Sequence, residues 1–174
     1  MMKLRLIRIL KHSWQSEKAA ERAIPPALLR KLAAQVAASE ARHSAEIRIY
    51  VEAGLPLSYL WRAGSMAQVM RERALTIFGK LRVWDTAHNN GVLIYLLLAE
   101  RRIEIVADRG LNELVAPGTW PRLVESMSTA FKGGDFEGGL MKAVQEVSVL
   151  LDKHFTLTHG QSNPNELPDA PLLG

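Results

Sequence analysis

The strongest constraint on the fold is a continuous apolar run, Gly91 to Leu98, which reads GVLIYLLL. The run has the length of a strand and follows two asparagines, a typical turn signal. A strand without polar alternation is buried on both faces, so it predicts a central strand in a sheet covered by helices on both sides. A chain of 174 residues without cysteine forms such a core as one domain. Thiolate metal sites, thiol catalysis and disulfide frameworks are excluded.

Hydrophobic spacing predicts the elements around this strand. The predicted helices are 26–42, 57–81, 119–131 and 136–154, and the predicted strands are 45–52, 91–98 and 102–107. Residues 45–52 alternate apolar and polar side chains, which is typical of a strand with one wetter face or an edge position. Residues 102–107 form the returning strand of a hairpin after a short connection.

The order of these elements predicts an α/β fold, a three-layer α/β/α sandwich around a small mixed β-sheet. The first two strands and the helix between them make one βαβ crossover, and the β-hairpin adds an antiparallel third strand. We divide the chain into a basic amphipathic leader (1–24), the α/β domain (25–155) and an irregular C-terminal tail (156–174).

Positive charge is concentrated at the N-terminal end. Residues 1–31 carry eight Lys or Arg and two Glu, a net +6, whereas the rest of the chain carries −2. A body so close to neutral argues against nucleic acid as a partner. The leader lacks an apolar run long enough for a secretory signal or a membrane span, so we expect a cytoplasmic chain. The leader either docks on the domain, frays, or lies peripherally on an anionic membrane surface.

The predicted topology brings chemistry-bearing residues to one edge of the sheet. Parallel strands begin at the same edge, and the second strand of a hairpin ends where the first begins. The segment 84–90 before the central strand and the segment 108–110 after the third strand must therefore meet. If the first strand is adjacent, Glu46, His43 and Glu40 arrive at the same edge.

Oxygen ligands dominate this predicted edge. The candidate metal ligands are Asp85, Asn89, Asn90, Asp108 and Glu46. Carboxylate and amide oxygens suit Ca²⁺ or Mg²⁺ better than soft metals. The alternative is that Asp85 and the two asparagines only shape a turn, while Asp108 pairs with Arg109 or Arg82.

At these same residues the sequence resembles the TPM domain family, also known as a phosphatase-like domain of thylakoid-lumen and photosystem-repair proteins. The resemblance covers about residues 36–170. Its motifs are Glu40-x-x-His43-Ser44-Ala45-Glu46-Ile47, Asn90-Gly91-Val92-Leu93-Ile94, Val106-Ala107-Asp108-Arg109-Gly110, Trp120, Phe131, Gly-Asp-Phe-x-x-Gly at 134–139, and Asn165-Glu166-Leu167-Pro168-Asp169.

This resemblance implies a small α/β/α sandwich with divalent-cation binding near the sheet edge, and a weak phosphatase activity as in some relatives. The residues that carry over are Asn90, Gly91, Asp108 and Arg109. Family members often have an acidic residue before Asn-Gly, where this chain has Asn89. Losing that negative charge weakens the expected binding of a hard cation.

Two functions follow. In the first, a cation held by Asp85, Asp108 and the asparagines neutralises a phosphoryl group while Arg109 binds its oxygens, with His88 as the candidate base, so that the candidate catalytic residues are Asp108, Arg109 and His88. In the second, the domain is a non-enzymatic module that binds a divalent cation or a protein partner, with the leader as a membrane or partner anchor. The lack of an obvious general base favours the second.

Overall fold

A mixed sheet of four strands forms the middle layer of the protein. The structure, a computed structural model, describes residues 9–12 and 17–174. Its strands are β1 (Ile47–Glu52), β2 (Val92–Leu97), β3 (Arg102–Ala107) and β4 (Leu172–Leu173). The order across the sheet is β3-β2-β1-β4, in which β1 pairs parallel with β2 and β4, and β2 pairs antiparallel with β3.

Helices cover both faces of this sheet. They are α1 (Glu17–Ala23), α2 (Pro26–Glu40), α3 (Leu57–Leu60), α4 (Met66–Lys80), α5 (Arg109–Asn112), α6 (Thr119–Gly133) and α7 (Phe136–Phe155), with a 3₁₀ turn at Leu98–Glu100. Side chains of α2, α6 and α7 pack on one face, and those of α3 and α4 pack on the other. The predicted three-layer sandwich and mixed sheet are confirmed.

Strand β2 is the centre of the core. Its six residues are all buried. Val92, Ile94 and Leu96 belong to the apolar cluster beneath α2, α6 and α7. Leu93, Tyr95 and Leu97 belong to the cluster beneath α4, because successive strand side chains point to opposite faces. The continuous apolar run therefore marks a strand covered on both sides, as predicted.

Strand β1 is more buried than its alternating sequence predicts. Arg48 and Glu52 are almost fully buried, so the expected wetter face is wrong. Glu52 accepts hydrogen bonds from Arg73 of α4 and from the Tyr95 hydroxyl. The outer side of β1 pairs with β4, so the edge position is taken by the end of the chain. Polar residues on this strand are thus paired inside the protein, a state that periodicity does not distinguish from exposure.

The predicted helix 57–81 is in fact two helices, α3 and α4. Ser65 caps α4, because its side chain accepts from the backbone N–H of Gln68 while the Gln68 side chain accepts from Ser65. Gly64, immediately before this capping box, has φ +110°, which strongly favours glycine. The cap and the glycine interrupt a hydrophobic pattern that continues across the break.

The folded domain begins before residue 25. Ala20 and Ile24 are fully buried in the core, and His12 is buried as well. Residues 1–8 and 13–16, most of the predicted leader, lie outside the described residues. Across the described part of the chain, no helix is both long enough and apolar enough to span a bilayer.

The C-terminal segment 156–174 is mainly irregular, and it is closely bound to the rest of the fold. Thr156 forms an isolated bridge with His43, and Leu167 is buried. The two residues of β4 add the fourth strand, because Gly174 exchanges backbone hydrogen bonds with Val51 and Ala53. The segment therefore covers both the beginning and the outer side of β1.

Candidate functional site

The segments before β2 and after β3 meet at the sheet edge. The backbone N–H of Asp108 donates to the Gly91 carbonyl oxygen (2.9 Å), and the N–H of Gly110 donates to the Asn89 carbonyl oxygen (2.9 Å). The approach is so close that a Cβ at Gly110 would lie 2.5 Å from the His88 carbonyl oxygen and 2.6 Å from that of Asn89. Hairpin geometry thus produces the predicted juxtaposition.

Two side-chain oxygens at this edge are buried and have no hydrogen-bond partner among the described residues, Asn90 Oδ1 and Asp108 Oδ2. The Asn90 side chain is held because its Nδ2 donates to the Ser44 carbonyl oxygen (3.1 Å), while its backbone N–H donates to the Thr86 hydroxyl (3.1 Å). Asp108 caps α5, with Oδ1 accepting from the Arg109 N–H at 2.7 Å. Each side chain is therefore fixed with one oxygen unsatisfied.

Other predicted ligands at this edge are already engaged. The Asp85 carboxylate is half exposed and pairs with Arg82 (2.6 Å), an arginine that the sequence alternative assigned to Asp108. Asn89 adopts φ +50°, and its Oδ1 accepts from the Arg109 guanidinium (3.0 Å). The two side chains thus have local structural roles.

Glu46 lies just before β1 and anchors the C-terminal segment. Its two carboxylate oxygens accept from the backbone N–H groups of Glu166 (3.1 Å) and Leu167 (3.0 Å). Burial raises the pKa of Glu46, and these two N–H groups oppose that rise. His43 is also fully buried, with hydrogen bonds to Ser39 and to the Ala45 carbonyl oxygen.

Arg109 and His88 are the exposed members of the candidate catalytic set. His88 lines a cleft of about 270 Å³ together with Ser44, Pro164 and Glu166. The Arg109 guanidinium contacts Asn89 and is not among the residues that line this cleft. The structure therefore places Asp108 beside Arg109 and places the His88 side chain in the neighbouring cleft.

Two oxygens of the predicted ligand set at this edge lack a hydrogen-bond partner among the described residues. Asn90 and Asp108 offer unsatisfied oxygens, whereas the oxygens of Asp85, Asn89 and Glu46 have partners within the protein. In the described ranges, three or more His, Asp or Glu side chains do not converge into a metal-binding group. A cation here would rely on one carboxylate and one amide of the protein, completed by water.

A buried carboxyl pair nearby was missed by sequence reasoning. Glu40, at the end of α2, has Oε1 bonded to the Ile47 N–H (2.7 Å), and it lines a polar cavity together with Asp169. Burial, with the charges of Glu46 and Asp169, raises the pKa of Glu40 to about 9. The signal for Glu40 was its place before β1, but no periodicity brings Asp169 of the tail to it.

The fold is an α/β/α domain whose candidate site lies where two loops meet at the sheet edge. Comparison of the sequence with family models then identifies the class of protein. The model of the TPM domain matches residues 20–150, so the chain belongs to the TPM domain family. The resemblance noted from the sequence motifs is thereby confirmed. A comparison with curated proteins gives no match.

Two solved structures are similar to this fold. One is the solution structure of the BA42 protein from the psychrophilic bacterium Bizionia argentinensis, with 24% identity, a TM-score of 0.70, and coverage of 87% of this chain and 95% of that one. The other is the N-terminal domain of a protein from P. gingivalis, with 22% identity, a TM-score of 0.57, and coverage of 77% and 82% respectively. At these identities the similarity establishes the fold.

Proposed function

We propose that this TPM domain is a non-enzymatic binding module that holds a divalent cation, Ca²⁺ or Mg²⁺, at the sheet edge through Asp108 and Asn90. In the bound state the edge would serve as a contact for a protein partner or for an anionic membrane surface, and the protein would act in the cytoplasm. The observation that carries the proposal is the pair of buried oxygens, Asn90 Oδ1 and Asp108 Oδ2, without partners in the described part of the chain.

Burying these two oxygens without hydrogen-bond donors has a free-energy cost. A buried acceptor without a donor costs about 1–3 kcal/mol, and more when the group is charged. A hard cation relieves that cost, and oxygen ligands are the ones that Ca²⁺ and Mg²⁺ prefer. Since Asp108 supplies the only formal negative charge among these two ligands, we expect weak binding, with a Kd on the order of 1 mM.

A weak cation-dependent phosphatase is the second candidate, and the exposed guanidinium of Arg109 beside Asp108 favours it. Such a group can bind phosphoryl oxygens. Turnover also needs a proton acceptor near the attacking water. His88 lines a cleft whose lining does not include Arg109, which supports the binding module over the enzyme.

The test is a Ca²⁺ titration of the full chain, followed by amide shifts in NMR spectra. We expect saturable shifts at the amides of Asn90, Gly91 and Arg109, because the Arg109 N–H bonds to the same carboxylate. Asp108→Asn keeps the shape of the side chain but removes its charge, so it should weaken the affinity at least about tenfold.

Asp85→Asn is the matched control, because Asp85 is half exposed and paired with Arg82. It should bind Ca²⁺ as the wild type does. Equal affinity in the wild type and in Asp108→Asn would contradict the proposed site. Hydrolysis of an activated aryl phosphate that falls with both Asp108→Asn and a chelator would favour the phosphatase instead.

A further inference from the structure

Helix α3 carries two large apolar side chains that are exposed in the described part of the chain. Leu57 and Trp61 are each 58% exposed. The Trp61 N–H bonds to the Leu57 carbonyl oxygen (3.3 Å), so the two residues lie one helical turn apart and their side chains share one side of the helix. Tyr59 and Leu60 are buried in the core and hold α3 on the domain. The two exposed side chains are therefore presented on a fixed support.

A helical turn at residues 9–12 packs beside the residues that lead into α3. The Nδ1 of His12 accepts a hydrogen bond from the Leu55 N–H (3.0 Å), and Ile9 packs against the apolar cluster that contains Leu55. In the same turn Leu10 is 60% exposed. The turn therefore adds a third exposed apolar side chain close to the start of α3.

The charge of both segments is positive. Residues 1–16 contain four Lys or Arg and no Asp or Glu, and residues 53–71 contain two arginines and no Asp or Glu. Two neighbouring carboxylates, Glu72 and Glu100, are both paired with basic residues. The surplus positive charge is that of the N-terminal segment. The exposed apolar side chains thus lie next to the part of the chain that an anionic surface attracts most strongly.

We infer that Leu10, Leu57 and Trp61 form a docking surface for an anionic lipid bilayer. Trp suits the headgroup region, because its ring is apolar while its indole N–H can bond to water or to lipid oxygens. Interfacial binding strengthens both with the apolar area that enters the bilayer and with the attraction of basic residues to anionic headgroups. The folded surface supplies the apolar part, and the N-terminal segment supplies the charge.

This docking surface shares no residue with the candidate cation site and does not rest on it. Helix α3 follows the end of β1, whereas Asn90 and Asp108 lie in the loops that flank the β2–β3 hairpin. Binding of the bilayer through Trp61 therefore needs no bound cation, and it is separate from the contact proposed for the sheet edge. One proposal can fail while the other holds.

The test is cosedimentation of the full chain with vesicles of phosphatidylcholine and phosphatidylserine, in EDTA. Trp61→Ala should weaken the binding at least about tenfold, because it removes the largest apolar side chain of the surface. The substitution changes an exposed residue, so the Tm should stay that of the wild type. Val149→Ala is the matched control, because Val149 is 60% exposed on α7, which packs on the other face of the sheet. It should bind as the wild type does.

Brominated lipids show whether the Trp61 ring enters the bilayer, because bromine quenches the fluorescence of indole rings only at close range. We expect quenching of the wild type on binding, and clearly less quenching of bound Trp61→Phe, which keeps an apolar ring but lacks the indole. The inference is overturned if Trp61→Ala binds as tightly as the wild type, or if bound Trp61→Phe is quenched to the same extent. It is equally overturned if the wild type does not bind these vesicles, which would leave α3 as a surface for a protein partner.

Discussion

At the scale of single residues, two glycines set how closely the loops of the candidate site approach. A Cβ at Gly91 would overlap the Val83 carbonyl oxygen, and one at Gly110 would press on the carbonyl oxygens of His88 and Asn89. Neither glycine has a positive φ, so the requirement is space and not backbone conformation. Both opposing groups are backbone atoms, which cannot rotate away as a side chain can.

We predict that Gly91→Ala lowers the free energy of unfolding by at least about 2 kcal/mol, because the Val83 backbone has to shift inside the core. The control is Gly79→Ala in α4, where an added Cβ meets nothing within 4 Å. That change should leave the stability unchanged or raise it by up to about 1 kcal/mol, since alanine is the better helix former. Urea denaturation measures both, and equal stabilities would contradict the clash.

Glu40 gives a prediction about pH. Its pKa is raised from 4.5 to about 9 on folding, so the folded state holds this proton more tightly than the unfolded state. The stability that Glu40 contributes is complete below about pH 4.5 and is lost as pH rises towards 9. Glu40→Gln cannot ionise at this position. As pH is raised from 6 to 8, its free energy of unfolding should therefore rise relative to that of the wild type by about 1 kcal/mol or more.

The measurement is a set of melting curves recorded in EDTA, so that no metal ion affects the ionisation of Glu40. A difference in melting temperature between wild type and Glu40→Gln that stays constant from pH 6 to pH 8 would show that Glu40 is not protonated in the fold.

At the scale of elements, the sequence predicts an element best where burial and hydrophobic period agree. Strand β2 is apolar throughout because helices cover both of its faces, so its role could be predicted directly. Strand β1 has an alternating sequence although Arg48 and Glu52 are buried, because both have hydrogen-bond partners inside the protein. Those partners come from distant parts of the chain, so the local sequence does not reveal them. The break before Ser65 was missed because the hydrophobic period resumes after the cap.

The segment before α1, which contains His12, also holds two turns of the fold in place. His12 is 3% exposed, its Nδ1 accepts from the Leu55 N–H (3.0 Å), and its Nε2 bonds to Glu100 (3.0 Å). These contacts fix the turn after β1 and the 3₁₀ turn after β2. The N-terminal end therefore contributes to the fold at a residue that the sequence assigned to a leader.

We predict that His12→Ala lowers the free energy of unfolding by about 2 kcal/mol, which corresponds to about 6 °C in Tm, because the buried Leu55 N–H loses its acceptor. Leu10→Ala is the control in the same segment, since Leu10 is 60% exposed. It should shift Tm by no more than about 1 °C. A Tm for His12→Ala equal to that of Leu10→Ala would show that the segment does not stabilise the domain.

At the scale of the whole molecule, the N-terminal end is strongly basic, whereas the rest of the chain is nearly neutral. Lys11 forms an ion pair with Glu100, so part of that charge is used inside the fold. Lys3, Arg5 and Arg8 lie outside the described residues, and their membrane role stays a prediction from sequence.

Removing residues 1–8 should therefore weaken binding to phosphatidylserine vesicles by on the order of a hundredfold, since each basic residue near a headgroup contributes about 1 kcal/mol. The Tm should stay within about 3 °C, because His12 and α1 remain. Cosedimentation with vesicles measures the binding, with neutral phosphatidylcholine vesicles as the control. Equal binding of the two chains would contradict a role for this segment as an anchor.

Topology also decided how much of the candidate site could be predicted. The meeting of Asn89 with Gly110 follows from strand order alone, because a hairpin returns to the edge where it began. Which oxygens remain free does not follow, since that depends on local partners such as Arg82 for Asp85. The approach of Asp169 to Glu40 depends on the path of an irregular tail, which no hydrophobic period records.

The most direct test of the proposed function is a crystal structure of the full chain grown with Ca²⁺. The account predicts density for an ion within about 2.3–2.6 Å of both Asp108 Oδ2 and Asn90 Oδ1, the range of Ca²⁺–oxygen bonds. Crystals of Asp108→Asn grown in the same way should lack that density. Hydrogen-bonded water at both oxygens in the wild type, at Ca²⁺ concentrations that saturate the NMR titration, would contradict the account.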